Sequence, residues 1–124
     1  MPQNQVVVFV TASSAEEADV IARAAVEERL AACANIVPSV SSVFRWKGKI
    51  EREAEVLIIL KTRRGVLERL VARVQDLHSY EVPEVIALPI VGGSEEYLDW
   101  LREQTEPVGR PAARERRGPF GPGF

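Results

Sequence analysis

The side chains able to bind a metal ion are few in this chain. There is one cysteine, Cys33, and one histidine, His78, against a large supply of carboxylates. No Cys-x-x-Cys, His-x-His or His-x-x-x-His spacing occurs. An ordinary zinc site takes three or four ligands, and one thiol with one imidazole cannot supply them from soft donors alone. Copper chemistry is open if Cys33 or His78 is joined by ligands from another subunit. The plainer readings are a small buried Cys33 between helix and strand, and a His78 favoured by the end of a helix dipole.

Catalytic signals are weaker still. Ser13, Ser14 and Thr11 follow the first strand, but a nucleophile needs a base and an orienter, and only one histidine is available. Gly92-Gly93 lacks the Lys-Ser/Thr of a phosphate-cradling loop. We expect a protein that is not an enzyme. Glu51, Glu53 and Glu55 alternate along an extended run and are expected to form a solvated face. Lys61 ends an apolar strand, and Tyr80 and Glu84 sit in the loop before another. Strand ends of this kind converge on clefts.

The elements that position these residues follow from hydropathy. Val6–Val10 is an apolar run, expected as a strand buried on both faces. Ser14 with Glu17 matches a capping box, and the helix it opens runs to about Leu30 with Ala18, Ile21, Ala22, Ala25 and Val26 as its stripe. Thr62 is expected to cap a helix from about Arg64 to Leu77, striped by Val66, Leu67, Leu70, Val71, Val74 and Leu77. Val85–Ile90 is a strand that Pro89 marks as an edge or an end. Ser94 caps a last helix carrying Tyr97, Leu98, Trp100 and Leu101.

Between the first two helices lie two extended arms around Lys47-Gly48, a β-hairpin signal. Each arm is about twice the usual strand length, so the hairpin overhangs a small domain and leaves unpaired edges. Pro38 suggests an edge or a bulge in the first arm. A two-residue loop pairs Phe44 with Glu51, and a three-residue loop pairs it with Ile50. We favour the second, which puts Val40, Phe44, Ile50, Ala54 and Val56 on one face and Arg45 with the glutamates on the other. The fold class is therefore α+β, a ferredoxin-like βαββαβ with a long central hairpin and a C-terminal helix. Residues 1–106 form the domain, and the Pro/Gly/Arg-rich residues 107–124 are expected to be a flexible tail.

At 124 residues the chain allows one domain, and a net charge of −2 gives no case for nucleic acid. No segment reaches the length of a membrane span, and residues 5–10 are too short for a signal core. A lone cysteine suits a reducing compartment, so a cytoplasmic location is expected.

The motifs in order are Glu28-Arg29-Leu30-Ala31-Ala32-Cys33-Ala34-Asn35-Ile36, Phe44-Arg45-Trp46-Lys47-Gly48-Lys49-Ile50-Glu51, the strand Val56–Thr62, His78-Ser79-Tyr80-Glu81-Val82-Pro83-Glu84 and Tyr97-Leu98-Asp99-Trp100. This set closely resembles the CutA divalent-cation-tolerance family over about residues 5 to 103. The resemblance implies a tight homotrimer similar in plan to PII signalling proteins, with hairpins extending one subunit's sheet into the next. It implies tolerance of copper and other divalent metals. Copper ligation in the family uses a late first-strand Cys and a His pair. Here Val10 and Leu77-His78 stand at those places, leaving His78. The family's cleft between subunits would carry Trp46, Lys61, Tyr80 and Glu84 as ligand contacts. Two further readings stay open: a PII-like sensor of a small anionic ligand contacted by Lys61, and a trimeric scaffold whose tail recruits a partner.

Overall fold

Gln5–Ala12 forms β1, whose alternate residues Val6, Val8, Val10 and Ala12 are all buried. The computed structural model describes residues 4–107, so the tail expectation for 107–124 lies outside the described residues save Pro107. The elements run β1, α1 (Ala15–Glu27), β2 (Cys33–Trp46), β3 (Lys49–Arg63), α2 (Arg64–Leu77), β4 (Val85–Pro89) and α3 (Glu95–Gln104). The sheet order is β2-β3-β1-β4 with every neighbour antiparallel, which is the split βαβ arrangement.

Both main helices cover one sheet face. Ala18, Ile21, Ala22 and Ala25 of α1, with Leu70 and Val74 of α2, pack on Val8, Val10, Ile58 and Leu60. The small alanines let α1 approach the strands closely. Val26 does not join the stripe and is 41% exposed, because the helix ends one residue later. That end is a Schellman motif: Leu30 N–H donates to Ala25 O, and Arg29 N–H to Val26 O. Arg29 takes the left-handed position (φ 61°) where glycine is usual. Its guanidinium donates to the carbonyls of Glu103 and Glu106, so the turn also clasps the end of α3.

The other sheet face is largely uncovered. Val7, Phe9, Leu57 and Ile59 are only half-buried there, and Ile86 and Leu88 are 53% and 48% exposed. The expected burial of β1 on both faces is thus not met within one chain, since no main helix lies on this side. Only α3 crosses one end, where Gln5 Nε2 donates to Leu98 O and Arg63 donates to Thr105.

Helix α2 has the expected bounds, but its N-cap is Arg63, without a side-chain cap bond. Thr62 cannot serve because strand alternation turns it into the core, where it is fully buried and its Oγ1 lacks a hydrogen-bond partner. Ser14 caps α1 as expected, accepting from Glu17 N–H at 3.1 Å. The reciprocal carboxylate reaches Ser13, one residue earlier than a capping box requires.

The hairpin is long, as expected, but its register differs. Phe44 pairs with Glu51 and Trp46 with Lys49 across a two-residue loop. Lys47 and Gly48 both have positive φ, 51° and 80°, which is a type I′ turn. This turn matches the strand twist, and Lys47 tolerates a conformation that disfavours Cβ. Phe44 and Val40 therefore share a face with Glu51, Glu53 and Glu55, while Ile50 and Ala54 lie with Arg45. Pro38 does mark a bulge: two residues, Pro38 and Ser39, face one, between Val37↔Leu57 and Val40↔Glu55. Beyond it the rungs from Val40↔Glu55 to Trp46↔Lys49 pair with no third strand.

Asparagine accepts the left-handed region better than lysine. Lys47→Asn is expected to stabilise the protein by several tenths to about 1 kcal/mol in urea unfolding at fixed protein concentration. A destabilised variant would argue against the I′ turn.

Candidate functional site: an acidic, aromatic groove beneath the hairpin

The bulge and the I′ turn together aim the hairpin's aromatic and acidic residues at one place. Ser42, Phe44, Trp46, Glu51, Glu53 and Glu55 line a groove of about 790 Å³ with Thr11, Ser13 and the loop residues Tyr80, Glu81, Val82 and Glu84. Five glutamates and three aromatic rings meet there, and the lining holds no Lys, Arg or His. The expected solvated face is only partly that: Glu53 is exposed, but Glu55 is 7% exposed.

Glu55 is kept in place by Tyr80, whose hydroxyl donates to Oε2 at 2.7 Å. Burial, then this hydrogen bond, then the charges of Glu55, Glu17 and Glu53 push the Tyr80 hydroxyl pKa well above its ordinary value. The phenol therefore stays a donor.

The loop that carries Tyr80 is held by a second carboxylate. Glu17 Oε1 accepts from the Ser13 amide and hydroxyl at 2.8 and 2.9 Å, and Oε2 accepts from the Ser79 amide at 2.7 Å. Burial would raise the Glu17 carboxyl, but the hydrogen bonds from Ser13 and Ser79 outweigh it and bring it to about 2. The sequence alone assigns Glu17 only to a cap, since nothing local signals its bond to Ser79, far along the chain.

His78 completes the latch. Its Nε2 lies 2.7 Å from Thr11 O, its Nδ1 3.1 Å from the Tyr80 amide nitrogen. Nδ1 accepts that proton, so Nε2 carries its own and donates to Thr11. The ring is buried and tilted against Tyr80, with centroids 4.6 Å apart. Both nitrogens are engaged, so His78 is not free to ligate a metal in this arrangement. Cys33 lies elsewhere, in the same cross-strand row as Lys61. Its thiol approaches Asn35 Oδ1 at 4.0 Å, and burial followed by the Cys33 contact raises the Tyr97 hydroxyl pKa. Among the described residues no group of three or more His, Cys, Asp or Glu side chains could hold a metal ion. The residues of one chain therefore do not fit a copper site built on His78 and Cys33.

Of the four expected ligand contacts, Trp46, Tyr80 and Glu84 come together in the groove. Lys61 does not. It sits towards the α3 end of the uncovered sheet face and donates to Asn35 Oδ1. Glu51, Glu53, Glu55, Phe44 and Glu81 are not evident as site residues from the sequence, because the favoured register sends the rings and the hairpin carboxylates to opposite faces.

A ferredoxin-like antiparallel sheet with an overhanging acidic hairpin defines the class of α+β protein to which this chain belongs, and among the described residues no helix is long and apolar enough to cross a membrane. The family model described as CutA1 divalent ion tolerance protein matches residues 6–104, and the chain belongs to this family. It is 52% identical over 99 residues to the divalent-cation tolerance protein CutA of Thermus thermophilus, covering 80% of this chain and 96% of that one. A solved structure of the divalent cation tolerance protein from Thermus thermophilus has a TM-score of 0.81 at 51% identity, covering 82% of this chain and 99% of that chain. The chloroplastic CutA of Arabidopsis thaliana is 50% identical over 81% of this chain, which spans 55% of that longer relative. A structure from Archaeoglobus fulgidus, described as periplasmic, has a TM-score of 0.80 at 41% identity and covers 82% of this chain and 99% of that chain. These relatives are named as CutA or tolerance proteins, not as enzymes, and they come from more than one compartment.

Because Glu17 titrates near 2 when folded and at about 4.5 unfolded, its stabilisation is present in full above pH 4.5 and is lost as pH falls through 2. Glu17→Gln is expected to be less stable than the parent at pH 7, with the gap narrowing between pH 4.5 and 2 in denaturant titrations. A gap that stays constant over that window would contradict the latch.

Tyr80→Phe leaves Glu55 Oε2 without its donor. A loss of about 1–3 kcal/mol is expected at pH 7 in urea unfolding, and an unchanged midpoint would remove the Tyr80–Glu55 bond as a structural element.

Proposed function

We propose that the protein acts in divalent-cation tolerance as a PII-like homotrimer that holds cations weakly in the groove between hairpin and loop. One observation carries the reading: five carboxylates line that groove with no base among them. Such a lining lowers the potential in a partly enclosed site and concentrates cations. Carboxylate oxygens are hard donors, and without a three-ligand cluster among the described residues the ion keeps much of its hydration shell. Copper is one such ion; the groove chemistry does not single it out. Trp46, Tyr80 and Glu84 are the contacts, with Glu51 and Glu53. His78 serves as the latch of the loop, and Cys33 and Lys61 stand outside. A small anionic ligand is disfavoured in the same groove by the same charge.

The trimer is supported by two features. Val7, Phe9, Leu57, Ile59, Ile86 and Leu88 leave an apolar sheet face without a cover. The outer edges of β2 and β4 both lack a partner strand among the described residues of the chain. A face and two edges of this kind suit heterologous contacts that close into a ring. The lone cysteine supports a reducing, cytoplasmic setting.

Calorimetric titration with Cu²⁺ and Zn²⁺, beside light scattering, tests both parts. The expected mass is about three times the 13.8 kDa chain. Glu51→Gln/Glu53→Gln should weaken cation uptake by roughly 3–10-fold at low salt. Uptake that survives in that variant but disappears in His78→Ala would move the site to the histidine, and a monomeric mass would end the trimer.

A further inference from the structure

The groove sets two surfaces of different chemistry side by side. On β3 the carboxylates of Glu51, Glu53 and Glu55 recur at every second residue, a repeat of roughly 7 Å. Beside them on β2 stand the rings of Phe44, which pairs with Glu51, and Trp46. Across from the hairpin is Tyr80, fixed by the bond its hydroxyl donates to Glu55. Phe44 and Trp46 are 39% and 45% exposed and Val82 is 68% exposed, more apolar surface than a hydrated metal ion can use. Glu51, Glu53, Glu81 and Glu84 take part in no ion pair among the described residues.

These features discriminate between kinds of cation. A metal ion gathers several ligands at one point, and among the described residues no such group converges. The carboxylates are strung along a strand instead, which suits charges strung along a chain. An aliphatic amine with three or four methylenes between its ammonium groups places them roughly 5–6 Å apart, close to the strand repeat. Each ammonium can then meet a carboxylate or a ring face, while the methylenes between them lie on Trp46 and Phe44. A volume of about 790 Å³ holds such a chain. The groove begins at Glu55, beyond the Ala12↔Val56 rung where β1 ends, so it lies past the sheet face that the trimer covers. A strand added along β2 would bond through the backbone of that edge and not through the side chains of the groove.

We infer that the groove is a binding site for linear aliphatic polyamines, with Glu51 and Glu53 taking the ammonium groups and Trp46 and Phe44 the methylenes between them. This uses the groove of the reading above but not its metal chemistry. The geometry selects an organic polycation over a compact ion of equal charge.

The test is calorimetric titration of the full chain in metal-stripped buffer, with light scattering alongside. Spermidine and hexaamminecobalt(III) carry the same charge, but only spermidine has methylenes to bury. Spermidine is expected to bind tighter by roughly 10-fold or more. Trp46→Leu should weaken spermidine roughly 2–10-fold and leave hexaamminecobalt(III) unchanged. Phe44→Leu gives the same comparison if Trp46→Leu does not fold. Glu51→Gln/Glu53→Gln should weaken both ions. Equal affinity for the two, or an equal loss of both in the Leu variants, overturns the inference, because charge alone would then account for the binding. So does spermidine binding that survives the Gln substitutions, or that changes the scattering mass, which would place the amine in the assembly instead. Saturable spermidine binding without Cu²⁺ or Zn²⁺ uptake would discard the metal reading alone. Metal uptake without a preference for spermidine would discard only the polyamine.

Discussion

Strand alternation along β3 is the constraint from which the rest of the molecule follows. Its even residues Val56, Ile58, Leu60 and Thr62 face the helices and are all buried. Its odd residues from Arg63 back to Glu51 face the other way. Pairing with β1, from Gln5↔Arg63 to Ala12↔Val56, locks that choice, since a slip of one would send Ile58 and Leu60 to the open face. The same pairing then dictates that Glu55, Glu53 and Glu51 emerge on the uncovered side, beyond the end of β1. Core and groove are two ends of one register.

Two local irregularities convert that register into a site. The bulge at Pro38-Ser39 changes which parity of β2 faces the open side, from Cys33, Asn35 and Val37 to Val40, Ser42, Phe44 and Trp46. The I′ turn then closes the hairpin without changing it. Without the bulge, the register Val37↔Leu57 carried onward would pair Phe44 with Ile50, a pairing that the two-residue turn at Lys47-Gly48 does not allow. The loop side is fixed by a different chemistry. Glu17, His78 and Tyr80 form a chain of hydrogen bonds from the start of α1, through the end of β1, to Glu55. Each buried polar atom of that chain meets a partner, which is the condition for placing a carboxylate such as Glu55 against apolar surface.

The metal chemistry that a lone Cys and a lone His suggest is not what the geometry favours. A histidine with both nitrogens bonded stabilises a loop, and a thiol in a row with Lys61 lies apart from it. The acidic groove offers oxygen donors and low potential, a chemistry suited to hydrated cations.

Much of this is readable in the residues. The helix stripe at Ala18, Ile21, Ala22 and Ala25, the Ser14 and Ser94 caps, the bounds of α2 and the long hairpin follow from local periodicity and capping chemistry, which act over one or two turns. The apolar run Val6–Val10 marks a strand, but its second face stays half-open because only neighbours in space could cover it. The turn at Lys47-Gly48 is misread from local signals because lysine seldom takes positive φ, and the strand register that compels it is set by the pairing of β2 with β3 and its bulge at Pro38-Ser39, away from the loop. Glu17 reaching Ser79, His78 reaching Thr11 and Tyr80 reaching Glu55 are likewise invisible, since each joins segments that meet only after the sheet closes. The sequence by itself determined the elements, their order and the family, because periodicity and motifs are local. Only the tertiary structure decided which side chains share a face, because in a sheet that choice depends on the parity of pairings between distant segments.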